Sequence, residues 1–317
     1  MKPIKFFAIG LEHPEEFIVS WNLGNTCNWS CEYCPSWLND GSVYWVNNEL
    51  VIKTLLTIKN KFNTQKIRVE FMGGELTLKP DFIELMQFCR DQGFNNHIVT
   101  NASRTVEYWE RLAPLLDTAI LTFHPDVANK QHYENIIDIM LKNNARPSCH
   151  LAMVKHHFYE LKDYKKYLEE KYQGQINVDL TILLDKENKL DYNGYFYDYE
   201  KDQIDFFESE GAKSYVVEYD NGERQELSLG EVQSLKLNNF SGFTCGSKLA
   251  TLNIDYKGGA SISVCPQRGP VNIRKHDIGE LLDARVCTQA ECRNPSDLRI
   301  YKEINGEVPE RPKGAVC

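Results

Sequence analysis

Six short runs of apolar and β-branched residues, at 17–23, 66–72, 97–100, 118–123, 148–154 and 176–184, alternate with stretches of helical periodicity at 48–62, 80–92, 106–116, 131–143 and 159–172. In the stretch FYELKDYKKYLEEKY, apolar residues recur at three- and four-residue steps among charges, as on a surface helix. Strands separated by helices and short connections fold into a parallel sheet with right-handed crossovers. Six of them suit a partial or full barrel, whose chemistry sits at the C-terminal strand ends. The pattern changes after residue 185. Residues 186–210 are polar and tyrosine-rich, and SYVVEYDNGERQELSL reads as a hairpin, with Asn221-Gly222 after Asp220 between alternating strands. Four more cysteines follow among few long apolar runs. A chain of 317 residues exceeds what one small core usually supports. The expected division is a barrel at 1–185, a bridging region with the hairpin at 186–240, and a small domain at 241–317.

With 36 basic and 45 acidic side chains the net charge is −9, so no bulk field gathers nucleic acid. No segment approaches the ~20 apolar residues that span a bilayer. The N-terminal apolar run is too short for a signal peptide and soon turns acidic. A cytoplasmic protein without membrane partners is expected. In a reducing compartment, ten cysteines point to metal or catalysis rather than disulfides.

Three of them, in Cys27-Asn-Trp-Ser-Cys31-Glu-Tyr-Cys34, lie just past the first expected strand, where their sulfurs can converge on one centre. Three thiolates on a four-iron cube leave one iron open for a small ligand. The competing reading is a zinc site short of a ligand. Zinc sites usually pair CxxC with a second such pair or two histidines, and none follows nearby.

CxxxCxxC in this setting resembles the radical S-adenosylmethionine (SAM) superfamily, whose motif carries an aromatic before the third cysteine, here Tyr33. The resemblance implies a partial (β/α)6 TIM barrel and a 4Fe-4S cluster on Cys27, Cys31 and Cys34. It also implies bound SAM and an external electron donor of flavodoxin or ferredoxin type. Gly73-Gly74-Glu75, ending the second expected strand, resembles the motif that receives the methionyl amino group of SAM. Asn101, after Thr100, stands where the family often contacts its ribose or carboxylate.

Cys245, Cys265, Cys287 and Cys292 are separated by 19, 21 and 4 residues, and such a set satisfies either tetrahedral zinc or a second cluster. Their layout around a candidate hairpin resembles the SPASM/twitch extensions of radical SAM enzymes, which implies a small twitch domain (β-hairpin plus helix) with an auxiliary 4Fe-4S cluster. Cys317, the final residue, is open as a replacement ligand. Cys89 lies in a helical pattern as a core thiol. Cys149 opens the fifth strand and is weighed as a hydrogen-atom donor, with a core role as the alternative. His124 ends the fourth strand and is weighed for substrate binding or proton movement. His156-His157 lacks a third ligand nearby in sequence and is not read as a metal site. The function implied is hydrogen abstraction from a C–H bond of a peptide or natural product, for oxidation, crosslinking or epimerisation. A sugar or aminocyclitol dehydrogenase or epimerase is the alternative enzyme. The alternative of another class is a non-catalytic zinc- or cluster-binding interaction protein.

Overall fold

The computed structural model describes residues 2–8, 16–34, 36–61, 66–183, 199–209, 215–227, 231–232, 235–245, 251–261, 271–275, 285–288, 292, 298 and 300–304. The chain divides into two compact units, Ile18–Ser209 and Met1–Phe17 with Glu210–Cys317. Strand β1 (Pro3–Ala8) belongs to the second. The first, a mixed α/β unit, runs β2 (Glu16–Asn22), α1 (Ser36–Asn39), α2 (Asn48–Lys61), β3 (Lys66–Met72), α3 (Phe82–Asp91), β4 (Asn95–Thr100), α4 (Val106–Leu112), β5 (Thr118–Phe123), α5 (Lys130–Lys142), β6 (Arg146–Ala152), α6 (Phe158–Tyr172), β7 (Asn177–Thr181) and α7 (Lys201–Ser209). Strands β2 to β7 are neighbours in sequence order, and every step from β3 to β7 is parallel. This is consistent with a partial barrel.

Alternation along the strands separates two faces. Phe17, Val19, Trp21, Val69, Phe71, Ala119, Leu121 and Phe123 are buried, as are Leu55, Ile58, Met86, Trp109, Ile136 and Met140 on the helices. Truncating an aromatic in such a core costs about 3–5 kcal/mol. The other strand face carries Ser20, Arg68, Glu70, His97, Thr118 and His150.

Several ends differ from expectation by a few residues, and two of these shifts have a visible cause. Strand β4 begins at Asn95, because buried Asn96 gives its amide to the carbonyls of Met86 (3.1 Å) and Leu115 (2.8 Å). Helix α4 stops at Leu112 and tightens into a 3₁₀ turn, Ala113–Leu115, where Pro114 has no N–H to continue it.

The compact unit runs on to Ser209. Tyr199 Oη donates to the Met153 carbonyl (2.5 Å) and accepts from Leu183 N–H (3.1 Å), while Phe206 and Phe207 meet Phe158 edge-on. These contacts fold 199–209 onto the barrel unit, whose compact unit ends at Ser209, within the expected 186–240 region.

The second unit holds the sheet β14-β10-β15-β1-β8-β9, formed with β8 (Tyr215–Tyr219), β9 (Arg224–Leu227), β10 (Thr244–Cys245), β14 (Arg285–Val286) and β15 (Lys302–Glu303). All its pairings are antiparallel. Phe6 stacks on Tyr215 and meets Phe240 edge-on, in a core with Val217, Leu227 and Phe243. The expected hairpin is β8–β9, with Tyr215 opposite Leu227 and Gly222 at φ +83° in the turn. A second hairpin joins β11 (Thr251–Ile254) to β12 (Gly259–Ser261), and β13 (Val271–Asn272) pairs with β12. Among the described residues, no helix is long and apolar enough to cross a membrane.

Candidate active site

The segment after β2 is stitched to the end of β3 by backbone bonds: Leu23 N–H to Met72 O (2.8 Å), Gly74 N–H to Gly24 O (3.0 Å) and Glu75 N–H to Thr26 O (2.7 Å). This approach requires glycine. A Cβ on Gly74 would lie 2.2 Å from the Thr26 carbonyl oxygen, and one on Gly73 2.7 Å from that of Gly24. The pair read from sequence as a ligand cradle therefore first lets the strand end lie against the cysteine segment. Buried Asn25 fixes the other side, donating to Asp40 (2.7 Å) and Ser42 (3.1 Å) and accepting from Val43 N–H (3.0 Å).

Cys27, Cys31 and Cys34 are half-buried on this frame. Cys34 N–H bonds the Cys31 carbonyl (3.1 Å), and Trp29 N–H points at the Cys27 sulfur (3.4 Å). Burial raises the pKa of Cys27 and Cys31 and pushes Cys34 up to about 11, with neighbouring cysteines adding to the rise at Cys31 and Cys34 and Glu75 adding to it at Cys27. Three thiols that resist charging, turned toward one cleft, are the donor set whose thiolate form a bound iron centre stabilises. The three residues fit a cluster with one open iron.

The cleft is about 190 Å³ and is lined by the three cysteines together with Gly73, Gly74, Asn101, Thr122 and His124, at the C-terminal ends of β3, β4 and β5. Asn101 donates to Asn28 (3.1 Å) and approaches Cys27 Sγ (3.9 Å). Ala102 beyond it adopts φ +59°.

Glu75 is absent from this lining. Its fully buried carboxylate accepts from Thr77 N–H (3.1 Å), Thr77 Oγ1 (2.5 Å), Thr100 Oγ1 (2.8 Å) and Asn101 N–H (2.7 Å). Burial raises its pKa against these bonds. Its side chain braces β3 to β4 and positions Asn101.

His124 and Tyr33 form a pair that sequence reasoning left separate. Their rings are parallel (5.9 Å, 3°), Tyr33 Oη is hydrogen-bonded to His124 Nδ1, and the same nitrogen lies 3.4 Å from Cys31 Sγ. Trp29 meets His124 edge-on. Burial lowers His124 to about 4, so the ring is neutral at pH 7, while burial raises Tyr33 well above its ordinary range. Tyr33 packs beneath His124 against Ala152 and Val154 and does not line the cleft. Trp29 and Thr122 line the cleft without having been singled out, although strand alternation and the C-terminal-end rule already point to Thr122.

Cys149 lies elsewhere. It is fully buried on the helix side of β6, hydrogen-bonded with Tyr133, and burial pushes its thiol up to about 12. The structure thus places it in the core and not at the cleft.

In the second unit, Thr244 pairs with Val286, so Phe243 stands opposite Cys287 and bonds its N–H (2.7 Å). Cys245 and Cys287 therefore share one face of the β10–β14 ladder. Cys292 N–H bonds Asn238 O (2.7 Å), and both Cys287 and Cys292 pack at the edge of the Phe6–Phe240 core. Cys265 and Cys317 lie outside the described residues.

Residues 21–188, more than half the chain, match the family model of the radical SAM superfamily. The S-adenosylmethionine-dependent nucleotide dehydratase of Fibrobacter sp. (strain UWH6) is 29% identical over 97 residues, 29% of this chain and 28% of that protein. The pyruvate formate-lyase-activating enzyme of Clostridium pasteurianum is 34% identical over 77 residues, 23% of this chain and 32% of that protein. The chain thus matches less than a third of the length of each of these relatives. Among solved structures, native anSMEcpe with bound AdoMet (SAM) has a TM-score of 0.51 at 16% identity, covering 84% of this chain and 80% of that one. Its complex with AdoMet and the Cp18Cys peptide gives 0.52 at 17%, with the same coverage. These similarities show a shared fold. The chain belongs to the radical SAM superfamily, whose members bind SAM and a 4Fe-4S cluster.

Proposed function

We propose that this enzyme reductively cleaves SAM and abstracts hydrogen from a C–H bond of a peptide or natural-product substrate, in an oxidation, crosslink or epimerisation. The observation behind the proposal is the convergence of three thiols, the Gly73-Gly74 turn and Asn101 on one cleft at the strand ends. When bound, the cluster supplies the electron that cleaves SAM to the hydrogen-abstracting 5′-deoxyadenosyl radical. The chain's own part is placement. Cys27, Cys31 and Cys34 hold the cluster, Gly73 and Gly74 bring backbone to the cleft, and Glu75 keeps Asn101 in position. Neutral His124, fixed by Tyr33, presents a hydrogen-bonding ring at the cleft wall.

Cys245, Cys265, Cys287 and Cys292 are assigned to an auxiliary 4Fe-4S cluster in a twitch-type domain. The shared face of Cys245 and Cys287 and the β11–β12 hairpin between Cys245 and Cys265 support that reading. An external flavodoxin- or ferredoxin-type donor supplies electrons. A peptide substrate accords with the peptide complex of the similarly folded anSMEcpe. The second reading, a sugar or aminocyclitol substrate, is favoured by the polar strand face of Ser20, Glu70, His97, Thr118 and His150 on the side of the cleft-lining Val99 and Thr122.

Anaerobic reconstitution tests the proposal. Wild-type protein is expected to hold about eight irons per chain, and Cys27→Ala/Cys31→Ala/Cys34→Ala about four. Given dithionite, wild type releases 5′-deoxyadenosine and the triple variant none. An active triple variant overturns the central assignment; zinc in place of iron at the second site overturns the auxiliary cluster.

A further inference from the structure

We propose that Asp126, His156 and His157 form a divalent-cation site of the zinc class at the C-terminal rim of the barrel unit. The sequence offers only the adjacent histidines, and folding supplies the third ligand from the turn after β5. One donor atom from each of the three residues lies within 4.8 Å of the other two. Asp126 Oδ1 is 2.8 Å from His156 Nε2 and 3.3 Å from His157 Nε2. A tetrahedral site with bonds of about 2.0–2.1 Å has ligand–ligand edges of about 3.3 Å. One edge already has that length, and the others need only side-chain rotation at an exposed site.

The hydrogen bonding around His157 points the same way. Its Nδ1 lies 2.7 Å from Glu160 Oε2, an acceptor, so Nδ1 carries a proton. With Nδ1 committed to Glu160, Nε2 is the ring atom turned to Asp126 Oδ1, where a bound cation would take the place of a proton shared between them. Carboxylate–histidine–metal triads have this form, with the outer carboxylate fixing tautomer and ring. Lys130 Nζ, 2.8 Å from Glu160 Oε1, holds Glu160 from its other oxygen.

Two imidazoles and one carboxylate suit zinc and its neighbours better than calcium or magnesium. Three protein ligands leave a coordination position toward solvent, open to water or an anionic group. The ion would tie the turn after β5 to the 3₁₀ turn Lys155–His157 that opens α6. That β5 turn is built on the His124 carbonyl, which accepts from Val127 and Ala128 N–H (3.1 and 2.8 Å), so Asp126 stands two residues from a cleft-lining side chain.

The test is a zinc titration of untagged, cluster-loaded enzyme under anaerobic conditions, with zinc alone as the probe. Wild type should bind one equivalent more than His156→Ala/His157→Ala, at micromolar or tighter affinity. Glu160→Gln should weaken that equivalent about 10–100-fold. X-ray absorption of the extra zinc should show nitrogen and oxygen neighbours alone. Equal stoichiometry in wild type and a double variant whose circular dichroism matches, binding only at millimolar zinc, or sulfur in the zinc shell would each overturn the proposal.

Discussion

In the barrel unit the cysteine segment leans on strands of five to seven residues, with backbone bonds to β3 and a buried carboxylate bracing β3 to β4. In the second unit Cys245 sits on a strand of two residues, and Cys287 directly follows another. The first set of thiols therefore rests on a frame that folds by sheet and core energetics alone. The second rests on short ladders and a small aromatic core, where the proposed auxiliary cluster would contribute folding free energy directly. The difference teaches that cysteines of similar chemistry can stand on opposite sides of cause and effect. In one unit the fold makes the site, and in the other the proposed site would help make the fold.

The strongest challenge to that contrast is Cys287→Ala with Cys292→Ala. Hydrogen exchange should show β8, β10 and β14 losing most of their protection, while β3 to β6 keep theirs. The Cys27/Cys31/Cys34 triple variant should leave both regions protected. The Cys287/Cys292 variant should still cleave some SAM but form no product. If it stays folded and turns over fully, the second site is structural and the oxidative reading falls.

An acid series sharpens the contrast through His97. Burial lowers its pKa to about 4, and its Nδ1 bonds Thr118 Oγ1 on the polar strand face. A histidine lowered from 6.5 adds full stability above pH 6.5 and loses it as pH falls toward 4, because the unfolded chain takes the proton first. The loss by pH 5 is about 2 kcal/mol. It should appear in the exchange of β3 to β6, in the triple-variant background where the first cluster does not intrude. His97→Gln should flatten it, and an unchanged slope in that variant would rule His97 out as its source.

An effect of similar size is expected from Gly74→Ala. The added Cβ meets backbone, so the cysteine segment must move, at about 1–3 kcal/mol. Thermal unfolding should shift modestly while iron at the first site falls much further. Normal iron content would mean that the loop tolerates displacement and is less fixed than its bonds imply.

The barrel unit was legible because its strands follow one another in both sequence and sheet, so local alternation reports the topology. The cysteine spacing and the β8–β9 hairpin were legible for the same reason, since each is a short-range pattern. Strand β1 was missed because its partners lie some 200 residues or more away. Helix α7 was missed because its environment is a tertiary aromatic cluster around Phe158. The Tyr33–His124 pair and the Asp126 partner of His156-His157 join residues about 90 and 30 apart, beyond any local pattern. For Cys149, sequence gave the strand but not the face. Its alternation partner Leu151 is buried on the helix side, and that sets the thiol in the core.

Strand β1 lies between β8 and β15, with Phe6 opposite Val217 on one side and Lys302 on the other. On the ribosome, at about 5–20 residues per second, Phe6 and Phe7 wait roughly 10–40 s for β8 and longer for β15. The whole barrel unit is made in that interval. Two adjacent phenylalanines in an unpaired strand are a sticky segment for that time, a natural target for a holdase chaperone. Slowed elongation would lengthen that exposure, so yield of the folded protein should depend on translation speed as much as on final stability.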